Sequence, residues 1–195
     1  MNKIKYIFPA IAMLVFAGCD SDDDGFYNTK YIEAVNLMEV EPAASYTIGD
    51  VIYVDVNVPR LLDEPGQATQ LDVVETTHAP TFDFFYILEK KNGAGGWELV
   101  DNTGNYVDGG PGYGSAGFYV QGFLEYDTVA ETYVYRGGLN LTEAGDYRLN
   151  FSNTTKFPNK VALRSDSVDN NIQLNIFSTS PSIDASGMYN FTVTN

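Results

Sequence analysis

Alternation with a period of two, in runs too short to be anything but strands, is what most limits the fold of this chain. Residues 51–58 read Val-Ile-Tyr-Val-Asp-Val-Asn-Val, apolar at every even position, with Asp55 and Asn57 between them. Successive side chains of a strand point to opposite faces, so this run buries its even positions, turns Asp55 and Asn57 outward and stops at Pro59. Residues 82–88, Phe-Asp-Phe-Phe-Tyr-Ile-Leu, are more uniformly apolar, as a central strand would be. The same alternation returns at 147–151, 172–177 and 189–193. Two hairpins are predicted: 82–88 with 97–100 across the glycine-rich turn 91–96, and 118–126 with 131–136 around Asp127-Thr128-Val129-Ala130. No long helical stripe interrupts them. Short strands separated by turn signals predict an all-β fold, a sandwich occupying residues 30–195 as one domain.

A local pattern narrows the type of sandwich. Residues 139–149, Leu-Asn-Leu-Thr-Glu-Ala-Gly-Asp-Tyr-Arg-Leu, resemble the corner before a late strand of immunoglobulin-like domains. There a tyrosine hydroxyl bonds back to upstream backbone, and Tyr147 is the candidate for that position. The resemblance implies a single immunoglobulin-like antiparallel β-sandwich. The cysteine pair and the tryptophan of antibody domains have no counterpart.

The N-terminal stretch has a different character. Lys3 and Lys5 precede an apolar run from Ile7 to Phe16, too short to span a bilayer, which takes about 20 apolar residues, but suited to a secretion signal. Val15-Phe16-Ala17-Gly18-Cys19 resembles a bacterial lipobox, with Phe16 where most carry Leu. That resemblance implies a signal peptide over residues 1–18 and lipid on Cys19, the chain's single cysteine. Asp20-Ser21-Asp22-Asp23-Asp24 then resembles the acidic export signal of Bacteroidota lipoproteins, flavobacterial ones above all, with Ser21, Asp22, Asp23 and Asp24 as its core. It implies an acidic, lipidated tether over residues 19–29 and an outer-membrane location facing the cell exterior. Like charges also keep such a tether extended.

Charge sets limits on partners. The whole sequence carries a formal −15, and removal of Lys3 and Lys5 with the signal would deepen it by two. Nucleic-acid binding needs a cationic footprint, which is missing. Adsorption to anionic lipid is disfavoured for the same reason, so acyl chains would have to supply the anchor.

Catalytic chemistry is hard to find. His78 is the single histidine, in a loop-like setting, and no serine sits in a nucleophile elbow. Zinc would need several His or Cys ligands. Asp101, Asn105 and Asp108 offer oxygen ligands that could suit calcium, although the spacing is not that of an EF-hand. Residues 104–119 string Tyr106, Tyr113 and Tyr119 between glycines, a combination of adaptable backbone and flat, polar-tipped rings that fits a ligand-binding loop. Thr128 and Ser167 lie in tripeptides resembling Bacteroidota O-glycosylation sites. The expectation is therefore a non-enzymatic surface lipoprotein that binds a protein partner, as an accessory subunit of an outer-membrane complex. A glycan-binding lipoprotein of a nutrient-uptake system is the alternative.

Overall fold

The computed structural model describes residues 28–152, 157–168 and 170–195. Its elements in chain order are β1 (Asn28–Val35), β2 (Met38–Val40), β3 (Tyr46–Thr47), β4 (Val51–Pro59), β5 (Leu61–Leu62), β6 (Leu71–Asp72), helix α1 (Val73–Thr77), β7 (Thr81–Lys91) and β8 (Trp97–Leu99). There follow β9 (Tyr106–Asp108), β10 (Tyr113–Ala116), β11 (Val120–Asp127), β12 (Thr132–Asn140), β13 (Gly145–Asn150), β14 (Val161–Asp166), β15 (Ile172–Thr179) and β16 (Met188–Thr194).

The chain is all-β, and its organising element is β7. Thr81–Tyr86 of that strand pairs with β11 on one side, and Thr81–Asp83 pairs with β14 on the other. The second half, Ile87 to Lys91, takes β13 and β8 instead. The sheet therefore divides along β7 into two arms. The larger runs β1-β15-β14-β7-β11-β12-β4-β2, with β10 added beside β11 and β9 beside β12; the smaller continues through β13 and β16 to β3. Among the described residues these strands form one 14-stranded hydrogen-bonded network, and β5 and β6 pair with each other apart from it.

Both predicted hairpins form, Lys91 opposite Trp97 and Asp127 opposite Thr132. Ile52, Val54, Val56 and Val58 are buried as their alternation requires. Two pairings depart from an antiparallel sandwich: β1 lies parallel to β15, and β3 parallel to β16. In both, an early strand is laid along a late one, and nothing in the local alternation of a strand encodes which partner it takes or in which direction.

A single apolar cluster draws on both arms, from Val54 and Phe84 in the large one to Leu149 and Val193 in the small one. Aromatic rings bridge its parts: Phe82 meets Tyr133 at 4.9 Å, Phe84 meets Tyr135 at 5.0 Å, and Tyr86 stacks on Phe151 at 5.4 Å. Each such buried ring contributes roughly 1.5–3 kcal/mol through removal from water. The corner at Tyr147 also forms. Its ring stacks on Phe191 and its hydroxyl donates to the Glu143 carbonyl at 2.9 Å.

Candidate functional site

Among the residues singled out in the sequence, the three tyrosines of the glycine-rich segment are separated by the fold. Tyr106 turns inward. Its ring lies over Gly114, where an added Cβ would come within 2.7 Å of the phenol oxygen, and its hydroxyl is buried beside Gly137 and Tyr135. Burial raises the Tyr106 pKa, and Tyr135 partly opposes it. The glycine at 114 thus makes room for a ring rather than supplying flexibility, which corrects the reading of this segment as an adaptable loop. Tyr113 and Tyr119 instead point outward from the β10–β11 hairpin. Tyr113 is 46% exposed and stacks on Phe123 at 4.7 Å, and Tyr119 is 57% exposed, edge-on to Phe85 at 5.9 Å.

The calcium candidates are likewise given local work. The Asp101 carboxylate accepts from the Thr103 hydroxyl at 2.7 Å and from the Thr103 backbone N–H at 3.0 Å, which holds its pKa below the usual aspartate range. Asp108 accepts from the Gly110 N–H at 3.3 Å, and the Asn105 N–H donates to the Asn102 carbonyl. Among the described residues no group of three or more His, Cys, Asp or Glu side chains is placed to hold a metal. His78 is exposed at the C-terminal cap of α1, in the left-handed region at φ 51°. Thr128 is exposed at a hairpin turn, whereas Ser167 is 3% exposed, with its hydroxyl bonded to that of Ser165 at 2.7 Å. Ser167 is therefore shielded from modification in the folded chain. Cys19, Ser21, Asp22, Asp23 and Asp24 lie outside the described residues. No described helix is long and apolar enough to cross a membrane.

The outward-facing tyrosines belong to a larger arrangement that sequence reading missed. Phe82, Phe84 and Tyr86 point into the core, which sends Asp83 and Phe85 to the opposite face of β7. Register then aligns one residue from each of six adjacent strands on that outer face. Tyr31 of β1 is opposite Asn175 of β15, which is opposite Arg164 of β14; Arg164 is opposite Asp83, Asp83 opposite Phe123 of β11, and Phe123 opposite Tyr113 of β10.

The middle of this row is polar and tied down. Arg164 donates through Nε and Nη2 to the two oxygens of Asp83, each at 3.2 Å, and the Gln121 side-chain amide donates to Asp83 Oδ2 at 3.2 Å. Asp83 is buried under these donors, while the Arg164 side chain stays 55% exposed. A cleft of about 250 Å³ opens here, lined by Asp83, Gln121, Phe123, Arg164 and Gln173 among others. At the two ends the row is aromatic: Tyr113 lies nearly parallel to Phe123, 15° apart, and Tyr31 nearly parallel to Phe177, 13° apart. Two signals of this site stood in the sequence: Tyr113 in the glycine-rich segment, and Asp83, the one acid within the apolar run 82–88.

Comparisons of the chain with protein-family models, with curated proteins and with solved structures give no match.

Proposed function

We propose that this chain is a non-enzymatic lipoprotein, anchored through Cys19 in the outer membrane and facing the cell exterior, that binds its partner through the outer face of the large sheet. The observation that carries the binding role is the six-strand row, with exposed aromatic rings at both ends and a fixed polar cleft between them. Rings already stacked on neighbours lose little conformational freedom when a ligand arrives. The lipobox and the acidic run support the anchor and the location. Kinship with immunoglobulin-like sandwiches belongs to the same proposal, supported by the Tyr147 hydroxyl bond to Glu143.

Two measurements test this reading together. Metabolically supplied labelled palmitate should enter the wild-type protein and not Cys19→Ala, and protease added to intact cells should cleave the wild type. Absence of label, or cleavage only after lysis, would overturn the anchor or the location.

A further inference from the structure

Resting on the proposal that this face binds, we infer that its ligand is a neutral oligosaccharide lying across the strands from Tyr31 to Tyr113. Three features of the row lead there. Its length is the first. Neighbouring strands lie about 4.8 Å apart, so five steps span roughly 24 Å, the extent of a chain of several sugar rings rather than of one small molecule.

The order of chemistry along the row is the second. A protein-binding face carries an apolar centre and a polar rim, with charged residues depleted from the centre. Here the order is reversed: Asn175, Arg164 and Asp83 occupy the middle, and Tyr31 and Tyr113 stand at the ends. Tyr31 is 63% exposed and Tyr113 46%. Sugars match that order, because each ring has an apolar face that stacks on a tyrosine and a girdle of hydroxyls that both donate and accept. Arg164 uses Nε and Nη2 on Asp83, and its guanidinium has five N–H donors. Gln121 donates to Asp83 through Nε2 and brings an amide oxygen as acceptor to the same cleft. The ion pair thus positions a donor and an acceptor that hydroxyl groups can use together.

Charge is the third. At a formal −15 the molecule repels anionic polymers, and Arg164 is already paired with Asp83, so a neutral glycan is favoured over an acidic one.

The test is calorimetric titration of the full-length lipidated protein, in mild detergent, with cellohexaose, xylohexaose, laminarihexaose, mannohexaose, maltohexaose and, as the acidic probe, hexagalacturonate. At least one neutral hexasaccharide should bind with a micromolar-to-millimolar Kd. Tyr113→Ala and Tyr31→Ala should each weaken it roughly tenfold or more, while native circular dichroism and a cooperative thermal transition show that each variant is folded. Val129→Ala, at a distant exposed turn, should leave it unaltered. Binding of hexagalacturonate alone would overturn the neutral class, and binding indifferent to both tyrosine variants would overturn the site. If no sugar binds but the face is shielded on intact cells, the ligand is a protein, and the glycan inference fails while the binding role stands. If no sugar binds and the face is unshielded, both fail.

Discussion

Single atoms decide much of the packing around the tyrosines. Gly122 on β11 lies where any Cβ would overlap Phe84 and come within 2.8 Å of Tyr135, two rings that meet at 5.0 Å. Gly122→Ala should therefore destabilise the fold by about 1–3 kcal/mol, read as a lower urea midpoint with an unchanged slope. A midpoint equal to wild type would mean that the rings can move aside. Tyr147→Phe keeps the ring on Phe191 and removes the hydroxyl bond to Glu143, so a loss of about 1 kcal/mol is expected in the same assay.

Buried tyrosines also make the fold sensitive to base. Burial pushes the Tyr133 hydroxyl up to about 12, with the Thr77 hydroxyl pulling the other way, and burial shifts Tyr86 and Tyr135 upward more strongly still. Folding raises these values above the ordinary tyrosine range near 10. The stability they contribute is thus complete below that range and is lost as pH climbs through the folded-state values. Phenolate absorbance should rise in two steps, the later one together with loss of the native circular dichroism. One step near the ordinary range, with the fold intact, would contradict the burial.

At the scale of elements, legibility follows the range of the forces involved. Strands β4, β7, β11, β12, β13, β15 and β16 could be read because alternation and turn chemistry are local, and the two hairpins because their turns fix the register. The parallel additions of β1 and β3 could not, since each joins strands more than a hundred positions apart in the chain. The candidate face was hidden for the same reason. Asp83, Arg164 and Asn175 look unrelated in the sequence and meet only through pairing register. Tyr113 was legible as an exposed aromatic, while Tyr106 was misread because a glycine that accommodates a ring looks no different from one in a flexible loop.

The caps at turns and at the short helix give an acid-side expectation. Asp72 accepts from the Glu75 N–H at the start of α1, and Asp127 accepts from the Ala130 and Val129 N–H groups; both pKa values are lowered, chiefly by these bonds. A depressed carboxyl stabilises the fold fully above the ordinary aspartate range, about 3.9, and ceases to as pH falls through its folded-state value. Thermal stability should be level down to that range and decline below it. A decline beginning near neutrality would point to other groups.

At the scale of the whole molecule, the two arms present different surfaces. Both wrap one core, while the outer face of the large arm carries the row from Tyr31 to Tyr113 and the polar cleft at its middle. Under the proposed function, that outer face is the working surface of a protein held at the cell exterior. The most direct measurement is hydroxyl-radical footprinting of the native protein on intact cells against the purified full-length chain. Tyr31, Tyr113 and Phe123 should be oxidised less on cells than in isolation, while exposed Val129, at the β11–β12 turn, should react equally in both. Equal oxidation of all four, or protection confined to Val129, would contradict this reading.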